Sequence, residues 1–128
     1  MTTPLRGVCI GAGYFSRFHL DAWRRLDDVE IVAVCDRDLS KATQAADEFG
    51  VVNVRDDAIA AIDEFHPDFV DIITPPDSHL ALIRAAADRK IAIICQKPLA
   101  PDFASAGAIV DLVDRAGVPF MVHENFRF

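Results

Sequence analysis

Five stretches of this 128-residue sequence carry residues that could do chemistry: "GAGYFSRFH" from 11, "CDRD" from 35, "TPPDSH" from 74, "CQKP" from 95 and "MVHENFRF" from 121. Gly11 suits a tight turn out of a strand, and Gly13 lets backbone approach an anion such as a pyrophosphate. The free N–H groups of a helix starting near Tyr14 would hold that anion. Asp36 closes the next apolar run, where a carboxylate accepts hydrogen bonds from both hydroxyls of an adenosine ribose and repels a 2′-phosphate. Two glycines between a strand and a helix, with an acidic residue after the following strand, predict a dinucleotide, and NAD rather than NADP. Arg37 either stacks on adenine, meets a phosphate or is a solvated loop residue.

The other three stretches are more ambiguous. Lys97 ends an apolar run, where an ammonium could orient a substrate hydroxyl or assist proton transfer, or be plain surface. Thr74 follows another such run, and Pro75 and Pro76 stiffen its turn. Asp77 or Ser78 then caps the next helix, with rigid helix entry the preferred role for Asp77. His79, in that helix's first turn, either packs or nears a ligand. His123, Glu124, Asn125 and Arg127 form a polar cluster that reads equally as a ligand site or an interdomain hinge. His19 and Trp23, four apart on a helix, read as packing residues, and His66 before Pro67 as structural.

The elements that must position these residues alternate. Apolar runs at 5–10, 29–35, 51–54, 69–73, 91–95 and 118–122 predict strands. Between them, Phe15, Phe18, Ala22 and Leu26 share one helical face. Helices are also predicted over 39–49, from Asp56 and Asp57 through Ile62, over 80–88, and from Pro101 at N1, with Asp102 in its first turn, to Gly117. Six such alternations predict an α/β fold: a doubly wound, six-stranded parallel sheet, order 3-2-1-4-5-6, with helices on both faces. In that topology ligands bind beyond the carboxyl ends of the strands, where every stretch named above falls.

Composition narrows the partners. The net charge of −7 disfavours nucleic acid and anionic membranes, which require a basic face. No apolar stretch is long enough to span a membrane and the N-terminus does not read as a signal peptide, so a cytoplasmic location is expected. Cys9, Cys35 and Cys95 are odd in number and lack metal-ligand spacing, so they read as buried free thiols and no metal site is expected.

Taken in order along the chain, "GAGYFSRFH", "CDRD", "TPPDSH", "QKP" and "MVHENFRF" resemble the N-terminal nucleotide-binding domain of the Gfo/Idh/MocA oxidoreductases, across residues 1–128. The resemblance implies hydride transfer between NAD(P) and a hydroxyl of a sugar, cyclitol or similar polyol. It implies cofactor contacts from Gly11, Gly13, Tyr14, Phe15, Asp36, Arg37, Thr74, Pro75, Pro76, His79, Gln96, Lys97 and Asn125. It implies substrate contacts from Lys97, Asn125 and Arg127, with Lys97 catalytic. Gln96 stands where such proteins usually have glutamate; it can hydrogen-bond a ribose but cannot take a proton as a carboxylate does. Ser16 replaces a third glycine and meets the same need for a small residue. The resemblance further implies a C-terminal substrate domain absent from this chain, so the chain is expected to be a fragment, inactive alone, of a protein that is a homo-oligomer at full length. "CQKPLAPD" and "ENFRF" look like a branch that includes dehydrogenases of D-apiose. A non-catalytic NAD(P)-sensing regulator is the alternative; an S-adenosylmethionine site would leave "QKP" and "ENFRF" unexplained.

Overall fold

The computed structural model describes residues 3–123. In chain order the elements are β1 (Leu5–Ile10), α1 (Ser16–Arg24), β2 (Val29–Cys35), α2 (Leu39–Phe49), β3 (Asn53–Arg55), α3 (Ala58–Phe65), β4 (Phe69–Ile72), a 3-10 turn (Pro76–Ser78), α4 (His79–Asp88), β5 (Ala92–Gln96), α5 (Phe103–Ala116) and β6 (Phe120–His123). The strands form one parallel sheet in the order β3-β2-β1-β4-β5-β6. This is the doubly wound topology expected from the alternation of apolar runs, and it gathers the carboxyl ends of all six strands along one edge.

The sheet separates two layers of core. On one side Val8, Ile10, Val70, Ile72 and Ile93 meet Ile62 of α3, Ile83 of α4 and Ile109 and Val113 of α5. On the other, Cys9, Val34 and Ile73 meet Leu20 of α1 and Ala42, Ala45 and Ala46 of α2. The alanines keep α2 close to the strands. Cys9, Cys35 and Cys95 are buried free thiols, and burial pushes Cys35 and Cys95 up to about 12, so they act as small apolar groups.

Helix α1 turns a different face inward from the one its apolar spacing predicts. Phe15, Phe18 and Leu26 are 48, 57 and 47% exposed, whereas Ser16, His19 and Leu20 are buried. The polar residues go inside because partners wait for them there. The helix also begins at Ser16, a turn's fraction later than expected.

The caps bring two further corrections. Asp102 is the N-cap of α5, accepting the Ser105 N–H at 2.7 Å, so Pro101 lies outside the helix rather than at N1. Neither Asp77 nor Ser78 caps α4 through its side chain; the Ser78 hydroxyl lies 2.6 Å from Thr74 Oγ1 instead. Asp38 and Asp57 cap α2 and α3. Gly50 and Gly117 close α2 and α5 at positive φ.

The hydroxyl and N–H of Ser40 hold the Asp38 carboxyl below its usual range, and the Ser105 N–H does the same for Asp102. Lowered folded-state values mean the unfolded chain binds protons more readily. The caps' stabilisation is therefore present above the unfolded value of 3.8 and lost as pH falls through the folded values. Asparagine caps without titrating. The double variant Asp38→Asn/Asp102→Asn should keep the wild-type urea midpoint at neutral pH and lose less of it between about pH 4 and about pH 2.

Candidate functional site at the carboxyl edge of the sheet

Where β1 ends, Gly11 adopts φ +107°, and a Cβ there would lie 2.8 Å from the Ile73 carbonyl carbon and oxygen. Its N–H donates to the Cys35 carbonyl at 2.7 Å. The next amide, Ala12 N–H, donates to Asp36 Oδ2 at 2.8 Å, while Asp36 Oδ1 accepts the Asp38 N–H at 2.8 Å. Asp36 thus ties the glycine loop to the end of β2 and retains lone pairs for further donors. Gly13 differs from Gly11: a Cβ there would meet nothing within 4 Å. The chain's own packing does not call for glycine at 13, and the space beside it is open to a ligand.

Helix α1 is the one that follows this loop. The helices α2, α3 and α5 each have an aspartate accepting an N–H of their first turn. The N-terminus of α1 has neither a side-chain cap bond nor an acidic residue in its first turn. Its positive end carries no such partner, the setting in which a helix start can meet an anion. Ser16, fully buried, donates its hydroxyl to the Gly13 carbonyl at 2.6 Å. It therefore packs as a small residue should, and also pins the loop. Tyr14 and Phe15 flank the loop, 70 and 48% exposed; Tyr14 packs edge-on against Phe15 and Phe18, and Phe15 lies tilted against Phe18. Arg37 is exposed at the end of β2.

Beyond β4, Thr74 and Pro76 are half-buried and Pro75 exposed. His79 does not open onto this edge. It is fully buried, with Nε2 2.8 Å from the Thr74 carbonyl and Nδ1 2.8 Å from the Leu99 carbonyl. The Cys95 thiol lies 3.2 Å from Nδ1. The contact with a ligand implied for His79 gives way to a strut that joins the loop after β4 to the loop after β5. Lys97 is half-buried at the end of β5, before a cis peptide to Pro98.

Gln96 also turns inward, 7% exposed. Its Oε1 accepts the Lys97 N–H at 2.9 Å, and its Nε2 lies 2.9 Å from His19 Nε2 and 3.3 Å from His123 Nδ1. His19 Nδ1 is 2.7 Å from Asp71 Oδ2, which also accepts the Trp23 indole N–H at 2.7 Å. Asp71 is fully buried, and its Oδ1 has no hydrogen-bond partner among the described residues. Reasoning from the sequence missed Asp71. The available signal was an acid inside the apolar run "FVDII", which requires buried donors, with His19 and Trp23 spaced to supply them from one helical face. Asn125 and Arg127 lie outside the described residues.

Gly11, Ala12 and Asp36 are therefore joined directly, and Thr74, His79 and Leu99 form a second joined group beside Lys97. A separate cavity of about 500 Å³, lined by Arg6, Trp23, Arg24, Phe49 and Asn53 among others, lies at the amino ends of β1 to β3, away from all of them. No group of three potential metal ligands occurs among the described residues, and no helix among them is long and apolar enough to cross a membrane.

Known proteins resemble this chain in sequence and fold. The profile of the Gfo/Idh/MocA oxidoreductases, described as an oxidoreductase family with an NAD-binding Rossmann fold, matches residues 5–124. D-apiose dehydrogenase of Paraburkholderia graminis is 49% identical over 96% of this chain and 33% of its own length. Inositol 2-dehydrogenase 4 of Saccharopolyspora erythraea is 35% identical over 88% of this chain and 34% of its own. A crystal structure of an oxidoreductase from Agrobacterium radiobacter, in complex with NAD+, L-tartaric acid and magnesium, superposes with a TM-score of 0.93 at 42% identity, covering 98% of this chain and 36% of that one. The chain thus spans about a third of the length of these relatives.

The two glycines should separate in a stability assay. Gly11→Ala forces a side chain onto the Ile73 backbone at positive φ and should cost about 1–3 kcal/mol in urea unfolding. Gly13→Ala should stay within about 0.5 kcal/mol of wild type. Equal losses would show that Gly13 is held by the fold itself.

Proposed function

The chain belongs to the Gfo/Idh/MocA oxidoreductase family with an NAD-binding Rossmann fold, and on that premise we propose that it is the cofactor half of an NAD-dependent dehydrogenase of sugars, cyclitols or related polyols. The observation that carries this reading is the contrast at the glycine loop. Gly11 is glycine because the fold requires it, whereas Gly13 is glycine beside open space, at a helix start that no side chain caps.

The residues fit a pyridine dinucleotide. Gly13, Tyr14 and Phe15 present the loop and the positive end of α1 to the pyrophosphate. Asp36, its two oxygens already holding Ala12 N–H and Asp38 N–H, has lone pairs left for ribose hydroxyls and a charge that repels a 2′-phosphate. Arg37 lies at the adenosine end. Thr74, Pro75 and Pro76 wall the middle of the cleft, held by His79 from beneath. A bound nicotinamide supplies the hydride acceptor for oxidation of the substrate alcohol. Lys97, with Asn125 and Arg127, orients the substrate hydroxyl, and the Lys97 ammonium assists removal of its proton. A lysine in that place favours catalysis over a purely sensory role. In a chain of the relatives' length the remaining acid/base groups would come from the other two thirds.

Calorimetric titration of the 128-residue chain should show NADH bound at least about tenfold more tightly than NADPH, with Gly13→Ala weakening NADH while the fold persists. Binding of neither, or tighter NADPH, sinks the Asp36 argument. In a chain of the relatives' length, Lys97→Met should lower kcat by about a hundredfold or more; the panel of sugars and cyclitols for that assay begins with D-apiose.

A further inference from the structure

The buried chain of hydrogen bonds from Trp23 to Lys97 has its polarity fixed at both ends by groups that can only donate. The Trp23 indole N–H accepts nothing, so Asp71 Oδ2 accepts from it. At the far end stands the Lys97 backbone N–H, 2.9 Å from Gln96 Oε1. Turning the Gln96 amide over would set its own N–H against that donor, so the backbone decides which way the amide faces.

With Oε1 committed to Lys97, the amide nitrogen of Gln96 faces His19 Nε2 at 2.9 Å and His123 Nδ1 at 3.3 Å. That nitrogen carries two hydrogens and has no acceptor capacity, so both histidine nitrogens accept. His19 then bears its hydrogen on Nδ1, which donates to Asp71 Oδ2 at 2.7 Å. His19 is a neutral imidazole, although its distance to Asp71 is that of an ion pair. His123 bears its hydrogen on Nε2. The two rings meet edge to face at 4.5 Å between centroids.

We propose that Gln96 is a positioning residue: its amide donates to two neutral histidines, and the rotamer so fixed holds the Lys97 backbone at the cleft. Glutamine fits this place and glutamate does not. A carboxylate would face two imidazole lone pairs, and would either draw a proton onto an imidazole or swing out of the interior and leave the Lys97 N–H only its longer bond to the His123 carbonyl at 3.4 Å. The departure from glutamate noted in the sequence is thus matched by His19 and His123 on α1 and β6. The network stands on its own geometry; its bearing on turnover rests on the reading of Lys97 given above.

The test uses two measurements that need no cofactor, so that they decide the network even if NADH does not bind. Nitrogen-15 spectra of the imidazoles should show wild-type His19 protonated at Nδ1 and bare at Nε2, and Gln96→Glu should protonate His19 Nε2 or break its coupling to the site. Amide hydrogen exchange at Lys97 should accelerate by about tenfold in Gln96→Met, which keeps side-chain length but has no amide. Wild-type His19 carrying its hydrogen on Nε2 would overturn the proposal, as would unchanged imidazole spectra in Gln96→Glu or unchanged Lys97 exchange in a folded Gln96→Met. Should Gln96→Met fail to fold, the wild-type and Gln96→Glu spectra still decide.

Discussion

A carboxylate sealed from water must be given donors, and that requirement at Asp71 governs much of this structure. Asp71 sits within β4 with no exposure, so one face of α1 is committed to supplying the Trp23 and His19 donors. Breaking such a buried group's bonds costs several kcal/mol, more than the gain from burying one more aromatic ring. The rotation of α1 follows, and with it the direction of its N-terminus and the exposure of Tyr14, Phe15 and Phe18.

The same accounting explains where the sequence is legible and where it is not. Strand order could be anticipated because six apolar runs separated by helical segments leave few right-handed ways to wind a sheet. The glycine loop and Asp36 could be placed because their roles are local to strand ends. The inward face of α1 is legible only in part: His19 and Trp23 read as packing residues, but hydrophobic periodicity points to the Phe15 and Phe18 face because it takes no account of a buried acid on a strand more than fifty residues away. For His79 the residues alone leave packing and a ligand both open, and only the resemblance implies cofactor contacts for it and for Gln96. Their side chains instead answer to carbonyls and imidazoles brought near only by the sheet.

Exposed and buried groups are layered at this edge of the sheet. The outer layer, Gly13, Tyr14, Arg37, Pro75 and Lys97, is exposed or half-buried. Beneath it lie Ser16, His79 and Gln96, each bonded to the backbone of an outer loop: Gly13, Thr74 and Lys97 respectively. Buried support beneath exposed loops suits the hydride transfer proposed above, since reacting atoms must be held to a fraction of an ångström.

Asp36 serves both layers at once, and this has a consequence for redesign. Exchanging an acidic residue at the end of the second strand is the obvious route to a changed preference between phosphorylated and unphosphorylated dinucleotides. Here the same carboxylate anchors Ala12 N–H and Asp38 N–H. Any replacement that merely welcomes a phosphate also sets the glycine loop adrift. A workable swap would have to bring in a new acceptor for the Ala12 amide along with the new cation, so selectivity and loop geometry would be re-engineered as a pair.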